Sequence, residues 1–137
     1  MDDCIFCKIV AKEVPAVVLY EDDSTLAFLN HAPDAPGHTL VVPKAHVRNV
    51  LDAPSDIFGH VMETVRILMP AIKDGVGADG MRVSINNESA GGQDVFHLHA
   101  HLIPFHADSP ATFKKRDIIS TEERELVAEK VREHLQN

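Results

Sequence analysis

Nine of the 137 residues are histidine, and three of them alternate with apolar residues in His97-Leu98-His99-Ala100-His101-Leu102-Ile103. Alternation at period two is the strand pattern, in which residues two apart share a face at a rise of about 3.3 Å per residue. The three imidazoles then form a row, with Leu98, Ala100 and Leu102 turned into the core behind them. The flanks, Val95-Phe96 and Ile103-Pro104-Phe105, are those of a buried strand and argue against a face left open to water. Buried imidazoles need partners for their ring nitrogens, and a row of them needs a chemical reason. Two chemistries compete. One is metal chelation. The other is nucleophilic attack, because a neutral imidazole is available near pH 7 without tuning. Attack on phosphorus requires one ring nitrogen free and the other held as a donor, a task that a strand carbonyl can perform. Neighbouring imidazoles can donate to the phosphoryl oxygens.

A second set of reactive groups lies in Cys4-Ile5-Phe6-Cys7. A thioredoxin-like pair follows a strand and opens a helix, and no strand precedes this one. Zinc is the better reading, although two thiolates fill only half of a tetrahedral shell.

The elements that must position these groups follow from pattern and punctuation. Ala16–Tyr20 and Thr25–Leu29 read as a hairpin around the turn Glu21-Asp22-Asp23-Ser24. After a loop holding Pro33 and Pro36, His38–Val42 reads as a third strand ended by Pro43, with His38, Leu40 and Val42 on one face. Ser55 is the expected N-cap of the main helix, and Ile57, Val61, Val65, Leu68, Met69 and Ile72 form its apolar face. Pro70 is expected to kink or interrupt that helix near Arg66, and Gly75, Gly77 and Gly80 to end it. Met81–Asn86 is a fourth strand. The polar loop Asn87–Asp94, with Gly91 and Gly92, feeds the histidine strand and offers backbone N–H groups to an anion. Beyond Pro104 the chain is polar through Arg116. Ser120-Thr121-Glu122-Glu123 fits a capping box for a last helix to about Leu135, with Leu126, Val127, Val131 and Leu135 as its stripe.

The length predicts one domain over residues 1–137. Acidic residues outnumber basic ones by 21 to 13, a formal charge of −8, which argues against nonspecific binding to nucleic acid or to an anionic membrane. The absence of a long apolar run argues against a membrane span, and an acidic Met1-Asp2-Asp3 start argues against a signal peptide. A cytoplasmic location is the expectation.

The triad stretch resembles the signature of the histidine triad (HIT) superfamily, His-φ-His-φ-His-φ-φ with φ apolar. Ile5–Ile9, the Glu21-Asp22-Asp23 turn, Ala35–Lys44 and Gly91-Gly92-Gln93 resemble that family's other landmarks, in the same order. The resemblance is to the branch of nucleotide phosphoramidases and dinucleoside polyphosphate hydrolases. It implies an α+β, HIT-like fold: an antiparallel five-stranded sheet with a main helix and a C-terminal helix, paired as a homodimer through a continuous ten-stranded sheet. It implies His99 as the nucleophile that becomes nucleotidylated, His101 at the α-phosphate and His38 in support from the facing strand. It implies Asn87 and Gln93 at the phosphate, Asn30 at the ribose, and Phe6, Ile9 and Phe28 along a purine pocket. Asp94 stands where some members carry serine, so a donor to the leaving group is replaced by an acceptor. Members with Cys-x-x-Cys imply a structural zinc on Cys4, Cys7, His46 and His97, which would also lock the His97 ring. His31, His60, His106 and His134 read as surface positions.

Three functions follow as alternatives. The first is a hydrolase of purine nucleotide P–N or P–O–P bonds. The second is a noncatalytic nucleotide-binding module acting through protein partners. The third is a metalloenzyme using the histidine row itself as its metal site.

Overall fold

The computed structural model describes residues 3–108 and 120–135; most of the polar stretch through Arg116 lies outside them. The elements are α1 (Ile5–Val10), β1 (Val18–Glu21), β2 (Thr25–Leu29), β3 (Thr39–Pro43), α2 (Ser55–Val76), β4 (Gly80–Ser84), a 3₁₀ turn at Ser89–Gly91, β5 (Ala100–Phe105) and α3 (Thr121–Glu133). The fold is α+β. The strands form one antiparallel sheet in the order β1-β2-β3-β5-β4. The β1–β2 turn is held by the Asp22 carboxylate, which accepts from the N–H groups of Ser24 (2.9 Å) and Thr25 (2.8 Å).

Each sheet face covers a different core. On one, Ala27, Leu29, Val41, Ala100 and Leu102 meet Val61, Val65, Leu68 and Ile72 of α2, and Ala128 and Val131 of α3. On the other, Leu26, Phe28, Leu40 and Val42 meet Phe6 and Ile9 of α1. The period-two alternation therefore sorts Leu98, Ala100 and Leu102 to the main-helix side and the histidines to the α1 side, as the pattern predicts. Among the described residues no helix is long and apolar enough to cross a membrane.

Several sequence expectations are corrected. The short helix α1 was not expected; Cys4 is its N-cap, its sulfur accepting from the Cys7 N–H at 3.3 Å. β1 and β4 are each displaced from the expected strands, to Val18–Glu21 and Gly80–Ser84. β5 begins at Ala100, so His97, Leu98 and His99 precede the ladder. The register pairs Val41 with Ala100, so Pro43 would come to face Leu98. Pro43 has no N–H, and its carbonyl accepts from the His97 ring (2.8 Å), while the Leu98 N–H goes to the Val47 carbonyl (2.8 Å).

Pro54, not Ser55, caps α2, without a side-chain bond. α2 runs through Pro70 uninterrupted; Pro70 and Arg66 lie on its exposed face, where water can satisfy the freed Arg66 carbonyl. Ser120 does cap α3, accepting from the Glu123 N–H at 3.1 Å. Leu126 is 62% exposed and falls off the expected stripe, whereas Val131 is buried as expected, with Ala128 beside it and Val127 and Leu135 partly buried.

Gly75 does not end α2 either. It lies inside the helix, where a Cβ would come within 2.9 Å of the Val131 Cα; Gly77, at φ +68°, ends it. Gly59, in the same helix, faces open space. Gly75→Ala should therefore destabilise the protein by about 1–3 kcal/mol through overpacking of α3, less a propensity gain of up to about 1 kcal/mol. Gly59→Ala should stabilise it by about 0.5–1 kcal/mol. Denaturant unfolding of both variants checks the opposite signs; equal shifts would contradict this account of the α2–α3 contact.

Candidate active site

Burial fixes the protonation of the histidines, and backbone groups fix their tautomers. His38, His97 and His99 are buried, and His101 is half-buried. Burial disfavours the imidazolium. It brings His38 and His101 down to about 4, with the neighbouring His99 adding to the effect in each case. His99 is also lowered by burial, against the opposing pull of the His97 carbonyl and the Asp94 carboxylate. The rings are therefore neutral near pH 7, and each carries one proton.

The Asp34 N–H donates to His38 Nδ1 at 3.0 Å, which leaves the His38 proton on Nε2. That N–H donates to His101 Nδ1 at 3.0 Å, so His101 in turn holds its proton on Nε2. His99 is set the other way: its Nδ1 donates to the His97 carbonyl at 2.8 Å, leaving the Nε2 lone pair free. The Phe6 ring packs edge-on against His99, centroids 5.0 Å apart, and fixes its plane. The carbonyl that holds His99 thus belongs to the residue two before it rather than to a facing strand.

His99 and His101 border a cleft of about 490 Å³. Phe6, Ile9 and Phe28 supply an apolar wall, and Asn30 and Asp94 are polar lining. The Asp94 carboxylate lies 4.0 Å from His99 Nε2 and is largely exposed. Seven of the residues expected at the site are therefore gathered on one cleft, and His38 backs it through His101.

Asn87 and Gln93 are not on that cleft. The Asn87 carbonyl accepts from the Val50 N–H (2.8 Å), and its amide donates to the Ile85 carbonyl (3.3 Å). Gln93 is buried and saturated. It donates to the carbonyls of Arg48 (2.7 Å) and Val95 (3.0 Å) and accepts from Asn49 (3.0 Å) and the Glu88 N–H (2.8 Å). Arg48 adds a bidentate pair to Glu88, at 2.8 and 3.0 Å. These side chains brace the loop before the histidines. The sequence reading missed His31 and Arg124, both of which line the cleft. Arg124 comes from α3 and carries no local motif; only the packing of that helix brings it there.

His97 belongs to a separate cluster. Its Nε2 donates to the Pro43 carbonyl, so its Nδ1 presents a lone pair. That lone pair meets Cys4 Sγ at 3.4 Å, Cys7 Sγ at 3.5 Å and His46 Nδ1 at 3.2 Å, and Cys7 Sγ lies 3.3 Å from His46 Nδ1. The four ligand atoms lie within 4.8 Å of one another. Bonds of about 2.3 Å to sulfur and about 2.05 Å to nitrogen give tetrahedral edges of about 3.6 Å for S···N and about 3.3 Å for N···N. The observed spacings fit that shell. Burial and the Cys4 thiol push the Cys7 thiol up to about 11, the direction a cation would reverse. His97, His99 and His101 do not converge on a single point, since their Nδ1 atoms face the cysteines, a carbonyl and His38 respectively. The histidine row as one metal site is thereby contradicted.

An α+β sheet that delivers alternate histidines to a cleft defines the structural class. The chain belongs to the HIT domain family, which matches residues 11–108. It is 37% identical over 137 residues to an uncharacterized HIT-like protein of Saccharolobus solfataricus, covering 98% of this chain and 99% of that one. It is 38% identical over 103 residues to Adenylylsulfatase HINT3 of Arabidopsis thaliana, covering 75% of this chain and 52% of the relative. A crystal structure of a Hit-like protein involved in cell-cycle regulation from Bartonella henselae matches with a TM-score of 0.91 at 40% identity, over 98% of each chain. A zinc-bound histidine triad family protein from Mycobacterium smegmatis matches with a TM-score of 0.88 at 33% identity, over 98% of this chain and 94% of that one.

Proposed function

We propose that this protein is a nucleotide hydrolase that cleaves purine nucleoside phosphoramidates or dinucleoside polyphosphates through a nucleotidyl-His99 intermediate. The observation that carries the reading is the His99 ring, with Nδ1–H on the His97 carbonyl and a free Nε2 beside the cleft. Nε2 attacks the α-phosphorus; the new N–P bond forms as the P–N or P–O bond to the leaving group breaks, its electron pair going to the leaving group. That group departs as the anion if it is a phosphate and takes a proton from solvent if it is an amine. Water then attacks phosphorus and releases His99 and the nucleoside monophosphate. His101, with its proton on Nε2, donates to a phosphoryl oxygen as charge builds there. Asp94 is an acceptor when ionised, which suits it to taking the proton of the attacking water rather than giving one to the leaving group. Phe6, Ile9 and Phe28 hold the base, and Asn30 faces the ribose. The adenylylsulfatase relative supports an adenylyl group as the transferred unit.

The four hydrogen bonds of Gln93 support loop bracing rather than phosphate contact for it in this reading, and the Asn87 side chain bridges the Val50 N–H and the Ile85 carbonyl in the same loop region. His99→Gly should lose roughly 1,000-fold or more in kcat/KM on an adenosine phosphoramidate while still binding AMP. Turnover within tenfold of the parent would remove His99 as the nucleophile and favour the binding-module alternative.

The Cys4, Cys7, His46 and His97 cluster is proposed to hold a structural zinc, with no position open to water. Bound there, zinc supplies a cross-link between α1, the turn after β3 and the stretch carrying His99. The zinc-bound Mycobacterium smegmatis structure supports this assignment. Protein purified without chelator should contain about one zinc per chain, and Cys4→Ser should lose it and melt at least about 5 °C lower. Metal-free protein with an unchanged melting temperature would contradict the site. A homodimer is also proposed: among the described residues β4 pairs with β5 alone, so its outer edge can continue the sheet into a second copy. A solution mass of one 15.1 kDa chain would contradict that.

A further inference from the structure

Besides the exposed His31, the cleft has a polar group that the hydrolytic reading leaves idle. Arg124, in the first turn of α3, lines the cleft beside Asn30 and also lines the small adjoining cavity bounded by Leu29, Asn30 and Gly37. Its Nε is buried and has no hydrogen-bond partner among the described residues. Among the described residues its hydrogen bond is from Nη2 to Thr121 Oγ1, at 3.1 Å. A buried guanidinium N–H without an acceptor costs roughly 1–3 kcal/mol or more, so its retention calls for an acceptor from outside the described residues, and the cleft it lines is where a ligand would bring one.

The helix is not free to withdraw this group. Eight residues along α3, about two turns, Arg132 donates to the Val18 carbonyl of β1 at 2.7 Å and ties the same face of the helix to the sheet edge. The Asn30 carbonyl is already engaged by the Ala32 N–H at 3.0 Å, which leaves its amide nitrogen to donate. Arg124 therefore offers this end of the cleft a cationic group that can only donate, and the Asn30 amide nitrogen adds a neutral donor beside it. Oxygen acceptors answer such a pair, and an amine or a ring N–H does not. His99 and Asp94 mark the reacting end of the cleft, and Asn30 marks the other polar position along it.

We propose that Arg124 is a specificity-determining residue that, together with Asn30, donates to an oxygen on the sugar side of the bound nucleotide. This rests on the nucleotide reading of the cleft and goes beyond it by naming the group that is read. The oxygen belongs either to a ribose hydroxyl or to a phosphoryl ester on it; both present lone pairs, and the phosphoryl ester adds charge for the guanidinium.

The test is equilibrium binding of AMP, 2′,3′-dideoxy-AMP and adenosine 3′,5′-bisphosphate to the full chain, to Arg124→Met and to Arg124→Lys. Melting temperatures of all three proteins check folding. The parent should bind AMP at least about tenfold more tightly than the dideoxy nucleotide, and Arg124→Met should bring that ratio close to one. Arg124→Lys should keep part of any charge-dependent affinity but lose the hydroxyl discrimination. Bisphosphate bound more tightly than AMP by the parent, and not by Arg124→Met, identifies the phosphoryl ester as the group read. A preference for AMP with no gain for the bisphosphate identifies the bare hydroxyls. Equal weakening of all three nucleotides in Arg124→Met, or none, overturns the proposal. Absence of binding by the parent to any of the three overturns the nucleotide reading itself, and this inference with it.

Discussion

The site depends on one hydrogen bond within the chain's own backbone-to-ring reach: His99 Nδ1 to the carbonyl of His97, at 2.8 Å. It decides which nitrogen of His99 holds the proton and therefore which nitrogen is nucleophilic. Because the donor and acceptor are two residues apart, the geometry depends on the local path of residues 97–99 more than on any distant contact. Much of the neighbouring structure acts on that path. The Pro43 carbonyl takes the His97 ring, the Val47 carbonyl takes the Leu98 N–H, and the Phe6 edge bounds the His99 ring. The Cys4, Cys7, His46 and His97 cluster fixes the same stretch from its other end.

A relay of single protons completes the site. The Asp34 N–H, His38 and His101 form a chain in which each member can donate in only one direction. The chain ends with a proton on His101 Nε2, while His99 presents a lone pair. Two adjacent imidazoles thus acquire opposite roles, acceptor and donor, His99 directly from a backbone carbonyl and His101 from a backbone N–H relayed through the His38 ring. Burial makes this arrangement stable against pH, because a protonated ring in the chain would lose its acceptor nitrogen and its partner with it. The loop brace centred on Gln93 serves the same end, by holding Val95 and the approach to His97 without entering the cleft.

The sequence made the histidine row, the antiparallel hairpin and the capped last helix legible because each is a local pattern: alternation, an Asp-bearing turn, and Ser120 three residues before Glu123. The cysteine pair and the two histidines were joined by resemblance, and the cluster's spacings agree with it. What the sequence hid was set by contacts. α1 is too short for periodicity to show. β5 starts late because Pro43 has no N–H to continue the ladder. Gly75 reads as a helix stop in one dimension but is a close approach to Val131 in three. Pro70 is tolerated because its side of α2 faces water. The resemblance put Gln93 and Asn87 at the phosphate; in the fold the Gln93 amide is filled by four bonds within the chain, which no local pattern announces. Arg124 is 25 residues from His99 in the sequence, and the docking of α3 on α2 and β1 brings it to the cleft.

The most direct test of the whole account is the tautomeric state of the four histidines, read by ¹⁵N NMR of the side-chain nitrogens in ring-labelled protein near pH 7. The account predicts a neutral His99 with its proton on Nδ1, beside neutral His38, His97 and His101 with theirs on Nε2. A His99 protonated on Nε2, or on both nitrogens, would contradict it, because no lone pair would then remain at the cleft to meet phosphorus.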